Sequence, residues 1–252
     1  SLNCLDSLFE NRVRIAAIRH WIDLSETDAG FSLRTAAGYV RIVAQIGKAL
    51  ASPKRLELLE LLSQSPKTVD VLAQESAMDI KLASAHLKAL KLARLVECER
   101  DGKYMIYRLT SNDVAQLWVH LRETAAEHLV DFSSDVTKLV AQPDKLTSIN
   151  RQELVARAKS GEIIMIDVRP AAEFEIAHLP YAKSMPISEL SQRLAELPKD
   201  KEIVAYCRGP FCVFADEALA LLRNNGYRAF KTVDGVNEWI AAGIPMHTAT
   251  PQ

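Results

Sequence analysis

Three short apolar runs separated by helical patterns constrain the C-terminal half of this chain more than any other feature. Ile163 to Val168 is apolar but for Asp167, Glu202 to Tyr206 is a second run, and Tyr227 to Val233 is a third. Runs this apolar read as strands buried on both faces. Val213 to Asn224 has helical spacing and is stopped by Asn225-Gly226, and a further helix holds Trp239. Strand and helix in alternation predict an α/β domain with a parallel sheet.

The N-terminal half reads differently. Residues 1–34 are assigned no function, and Glu26 to Gly30 reads as a break. From Thr35 one helix is expected to run to Leu50. Ser52-Pro53 then supplies an N-cap with proline at the first helical position. The turn Ser65 to Thr68 leads into a short helix around Val71 and Leu72, and Asp79 caps another that runs through Ala93. Leu95 to Glu99 and Tyr104 to Leu109 alternate as strands, joined by a hairpin turn at Arg100-Asp101-Gly102-Lys103. A long helix is expected from Ser111, because apolar residues recur at steps of three and four from Val114 to Leu139. Gln142 to Lys145 ends it as a linker.

In 252 residues there is room for two ordinary domains. The net charge is −1, so any case for a nucleic-acid partner must be local. Between residues 81 and 108, seven Lys or Arg outnumber three acids, giving +4. No apolar run approaches the roughly 18 residues of a membrane span, so no membrane partner is expected. Ser1 to Asp6 has no basic region leading into an apolar core, and a secretory signal is not expected there. Four cysteines, at 4, 98, 207 and 212, are too few for a disulfide framework and include no Cys-x-x-Cys. A reducing cytoplasm is the expectation, with the cysteines free to react.

Ser52-Pro53-Lys54-Arg55-Leu56, Ser84 to Leu90, Leu95-Val96 and the hairpin Arg100 to Leu109 together resemble the winged helix-turn-helix of ArsR-type repressors. The resemblance covers about residues 35 to 130. Leu72, Met78, Ala83, Leu87, Leu90 and Leu95 would line the inner faces of two crossing helices, with Lys81, Ser84, Ala85 and Lys88 facing out. The resemblance implies DNA contact by Lys81, Ser84, Ala85, His86 and Lys88 in the major groove, and by Arg100 and Lys103 of the wing. Arg94 stands where the family usually has a helix-ending glycine, and Leu82 where a small polar residue is common. The metal-sensing use of that family is not expected here. The short helix around Val71 has no cysteine, and His120, Glu123, Glu127 and His128 lack the paired Asp-x-His of such a site. No metal and no cofactor are expected.

Residues 146 to 247 resemble a rhodanese domain. The matching motifs are Asp167-Val168-Arg169-Pro170, Glu173-Phe174, Ala177-His178-Leu179-Pro180, the loop from Cys207 to Cys212, Asp234 to Trp239, and Gly243-Ile244-Pro245. Asp234 departs from the pattern, since many members have the first of two glycines there. A cysteine between a strand end and a helix N-terminus faces converging N–H groups and the helix dipole, which favour a thiolate and would also hold a persulfide. Cys207 is therefore the expected nucleophile. Arg208, Gly209, Pro210, Phe211, Cys212 and Val213 form its anion-cradling loop, with Asp167 and Arg169 ordering the neighbouring loop. Phosphatases and arsenate reductases of this fold place an arginine where Val213 stands, so sulfur transfer is expected over phosphate chemistry. Cys212 is read either as a small apolar residue or as a resolving thiol for Cys207. Cys98 is read as a buried structural thiol.

The expected fold is a mainly α winged helix-turn-helix (residues 35–140), a linker (141–146) and an α/β rhodanese domain with a parallel sheet (147–252). The expected function is a transcriptional regulator, a repressor, responsive to reactive sulfur species. Its expected partners are double-stranded DNA at a pseudo-palindromic operator, a second copy of itself, and a small donor such as thiosulfate or polysulfide. Two alternatives stay open: a sulfurtransferase that the DNA-binding half localises, and a metal-responsive repressor.

Overall fold

The structure is a computed structural model that describes residues 29–129, 146–210 and 212–248, the side chains of 29–37 excepted. By its contacts the chain divides after Ala51. The first unit contains helix α1 (Ala29–Leu50), which begins inside the expected break and carries exposed Tyr39, Val40, Ile42 and Val43.

The second unit begins with the winged-helix elements: α2 (Pro53–Gln64), β1 (Lys67–Thr68), α3 (Val69–Glu75), α4 (Ile80–Leu92), β2 (Val96–Asp101), β3 (Tyr104–Leu109) and α5 (Asn112–His128). Leu58, Leu59, Leu72, Ala83, Leu87, Leu90 and Leu95 are buried together, while Met78 is half-buried. Thr68 and Asp79 cap α3 and α4 by accepting from the N–H of Val71 and Lys81. Lys67 and Thr68, expected as a turn, instead pair with Tyr107 and Ile106 and make β1 an edge of the sheet β1-β3-β2. The hairpin pairs Asp101 with Tyr104, so β2 runs further than expected and the loop is only Gly102-Lys103. Helix α5 ends at His128, not at 139, and Leu129 is already extended. Phe132, Val136, Leu139 and the linker up to Lys145 lie outside the described residues.

After Leu146 come α6 (Arg151–Lys159), β4 (Ile163–Asp167), α7 (Ala171–Ile176), β5 (Lys183–Ser184), α8 (Ile187–Arg193), β6 (Glu202–Tyr206), α9 (Phe214–Asn224), β7 (Arg228–Lys231) and α10 (Val236–Ala241). The parallel sheet has the order β5-β4-β6-β7. Alternate residues enter two cores: Ile166, Ile203 and Ala205 pack with Ala218, Leu219 and Leu222 of α9, whereas Met165, Val204 and Tyr206 pack with Val236 and Trp239. This double burial is why both central strands read as apolar runs. The two-residue β5 is too short to leave a periodic signal.

Arg94 takes the left-handed conformation, with φ of 58°. Its N–H bonds Lys91 O at 3.0 Å, and that of Leu95 bonds Leu90 O at 3.0 Å, which closes α4 with the hydrogen-bond pattern that usually recruits glycine. A side chain there is strained by about 1 kcal/mol. Arg94→Gly is expected to raise the thermal midpoint; an unchanged or lowered midpoint would show that the arginine side chain compensates for the strain.

Candidate functional site

Parallel pairing sets Asp167 at the end of β4 beside Tyr206 at the end of β6, and Cys207 follows directly at the C-terminal edge of the sheet. Ligands of open parallel sheets gather at that edge. Cys207 is 3% exposed and packs against α9. The expectation that the cysteines are free is corrected for two of them. Cys207 and Cys212 are joined in a disulfide with Cα atoms 6.2 Å apart. A turn in which the N–H of Cys212 bonds Gly209 O at 3.1 Å curls the loop enough to bring them within disulfide reach. Phe211 lies outside the described residues. Val213 is exposed immediately before α9.

The loop is tightly backed. A Cβ on Gly235, at the start of α10, would lie 2.3 Å from the carbonyl carbon of Arg208 and 2.6 Å from Cys207 O. Only glycine admits that approach. The Glu238 carboxylate accepts the Gly235 N–H at 2.8 Å and pairs with Arg122 of α5. Gly209, with φ of 144°, faces these same two side chains. The unusual Asp234 pairs with Arg151 at 2.8 Å, which accounts for a charged residue at that position.

Arg208, a member of the expected anion-cradling loop, is engaged by two carboxylates. Its Nε donates to Glu173 at 3.0 Å, and its Nη2 donates to Glu75 of α3 at 2.9 Å. Glu173 is fully buried and also binds Lys67 of β1 at 2.9 Å. Burial alone would raise the Glu173 carboxyl, but Arg208 and Lys67 together hold it below the usual carboxylate range. Asp167 and Arg169 are both fully buried and paired in fork fashion. The remaining donors of Arg169 reach Ala177 O at 2.7 Å and Gln64 of α2 at 2.9 Å. Glu60 of α2 is raised by burial and accepts from Trp118 and Arg122 of α5.

Of the residues expected to contact DNA, Lys81, Ser84, Ala85 and Lys88 are exposed along α4, and His86 is half-buried. Leu82 is 47% exposed on the same helix. Arg100 and Lys103 are exposed on the wing. Arg108 pairs with Glu97 and Glu99, two of the three acids already counted in the +4 of this segment. Cys98, expected to be buried, is half-buried and accepts from Lys91 at 2.9 Å, since β2 has only one covered face. His120, Glu123, Glu127 and His128 are exposed on α5, and no cluster of three metal-ligating side chains occurs among the described residues. No helix among the described residues is long and apolar enough to cross a membrane.

Sequence reasoning passed over Glu173, Lys67, Glu75, Arg122 and Glu238. Glu173 stood within a quoted motif, but its partners lie 106 and 35 residues away. Its own segment gave no sign of a buried ion, since Glu175 two residues on is also acidic and is exposed.

Fold and site define a two-part protein, a winged helix-turn-helix and a rhodanese-like module whose loop cysteine is present. The family model for bacterial regulatory proteins of the arsR family matches residues 52–97, and that for the rhodanese-like domain matches residues 150–242. The HTH-type transcriptional regulator Rv0324 of Mycobacterium tuberculosis is 41% identical over 223 residues, spanning 88% of this chain and 97% of that protein. A sulfurtransferase of Allochromatium vinosum is 29% identical over 103 residues, 40% of this chain and 94% of its own. The homodimeric winged helix-turn-helix DNA-binding domain of Mb0332 from Mycobacterium bovis is 42% identical, covering 37% of this chain and 86% of that one, with a TM-score of 0.36. The chain belongs to the arsR family of bacterial regulatory proteins, as a transcriptional regulator that carries a rhodanese domain.

Replacing Glu173 by Gln leaves two buried cations short of a counter-charge, a loss of about 3 kcal/mol. A carboxyl whose folded pKa is lowered stabilises the fold above its unfolded pKa, and that stability is lost as pH falls through the lowered value. Thermal unfolding against pH is expected to show a lower midpoint at neutrality for Glu173→Gln and a shallower acid decline than in the parent. Parallel acid limbs would remove Glu173 from this role.

Proposed function

We propose that this regulator responds to reactive sulfur species through Cys207. The observation that carries the reading is Arg208, which follows the cysteine directly and donates to Glu75 on α3, the first helix of the helix-turn-helix. A change in the loop thereby acts on the element that precedes α4 and its exposed Lys81 and Lys88. Reduced Cys207 takes the outer sulfur of thiosulfate and releases sulfite, leaving a persulfide. The Cys212 thiolate then attacks the inner sulfur and releases hydrosulfide, which closes the 207–212 disulfide with atoms and electrons in balance. The protein works as a homodimer on a pseudo-palindromic operator of double-stranded DNA. The exposed apolar residues of α1 and, on α5, Leu117 support that assembly.

The test measures operator affinity of the reduced full-length chain with and without thiosulfate or polysulfide. A change of about tenfold or more is expected, within the usual span of coupling between sites. It should be absent in Cys207→Ser, and mass spectrometry should find the added sulfur on Cys207. Equal affinity in all four conditions would overturn the reading.

Phosphate contacts by α4 make DNA affinity salt-dependent. Lys88→Ala is expected to weaken binding to any sequence and to flatten the slope of affinity against salt by about one counterion. An unchanged slope would move the contact surface away from α4.

A further inference from the structure

A cavity of about 760 Å³ opens between the winged-helix elements and the Cys207 loop. Its apolar wall is Leu56 and Leu61 of α2, Trp118 and Leu121 of α5, and Val213 and Phe214 at the start of α9. Cys212 lines it, whereas Cys207 is 3% exposed and does not. The volume falls within the range of small-molecule sites.

Charge narrows the occupant. Glu57, Glu60 and Glu75 all border the cavity. The two arginines at its wall are already ion-paired, Arg208 with Glu173 and Glu75, and Arg122 with Glu60 and Glu238. An anion entering here would have to displace a carboxylate to reach either guanidinium. An uncharged apolar body meets no such cost and gains burial against six apolar side chains.

We propose that this cavity is the binding site for a thiol with an uncharged apolar body, which opens the disulfide by attack on Cys212. The step is thiol–disulfide exchange. The incoming thiol gives up its proton, and its sulfur forms a new S–S bond to Cys212 Sγ. The Cys207–Cys212 bond breaks, and its electron pair leaves on Cys207 Sγ as a thiolate. The entering sulfur is oxidised and that of Cys207 is reduced, so no further reagent is needed. The direction of attack follows from access, because Cys212 lines the cavity and Cys207 does not. The product is a mixed disulfide on Cys212 and a freed Cys207, ready to accept sulfur again. This deepens the reading of the Cys207 loop as the sulfur-responsive centre and rests on it.

The experiment takes the oxidised full-length chain and follows disulfide opening by 2-phenylethanethiol and by 2-mercaptoethanesulfonate, with rates compared per thiolate. The apolar thiol is expected to show saturation and, below it, a rate at least about tenfold higher, the lower end of what burying a phenyl ring contributes. Peptide mapping should place its adduct on Cys212. Ala125→Phe, which fills the cavity, and separately Val213→Asp, which adds a carboxylate at its rim, should each bring the two rates together. Equal rates without saturation in the parent chain, or an adduct on Cys207, would overturn the proposal. Thiosulfate labelling of the dithiothreitol-reduced chain separates the two readings. Sulfur on Cys207 with no thiol preference removes the cavity site alone, and a thiol preference with no sulfur on Cys207 removes the sulfur-responsive reading.

Discussion

A carboxylate in a dry interior stays ionised only if cations and hydrogen bonds replace the water it has lost. Glu173 meets that condition with one cation from each half of the protein, Arg208 from the Cys207 loop and Lys67 from the edge strand of the wing sheet. The position of the Cys207 loop against α3 follows from it, because the same guanidinium that satisfies Glu173 also reaches Glu75. Buried ion networks of this kind add little net stability over an apolar contact, but a displaced partner is costly, so they fix one register between packed elements.

Other polar links run across the same boundary. Gln64 accepts from Arg169, Asn237 donates to Ser63, and Arg122 joins Glu60 to Glu238. Glu238 in turn holds the Gly235 N–H, and the Gly235 backbone touches the carbonyls of Cys207 and Arg208. The Cys207 loop is thus backed by α10 and clamped in front by the winged helix. A loop with contacts on both sides cannot change its bonding without disturbing a partner, which is the physical requirement for a local chemical event to be felt by a DNA-binding element. The disulfide between Cys207 and Cys212 adds a covalent restraint within the loop itself.

Much of each half was legible from local signals. Apolar runs marked β4 and β6, caps marked α3 and α4, and the Cys207 loop with its flanking motifs marked the rhodanese module. Arg94 was flagged as a substitute for glycine, and it does hold a left-handed backbone. Errors occurred where local pattern and tertiary context part company. Lys67-Thr68 reads as a turn but is recruited as a strand by β3, and the apolar stripe after Ser111 continues past the end of α5.

By itself the sequence determined the two folds and their order, because periodicity, capping and motif spacing act over a few residues and leave a local trace. Only the tertiary structure decided where Arg208 spends its charge, that Glu173 is a buried bridge, that Cys212 rather than Cys207 faces a cavity, and that the two cysteines are joined. Those facts depend on groups tens of residues apart being brought to within about 3 Å in a medium of low polarity, and no local pattern along the chain records such a meeting.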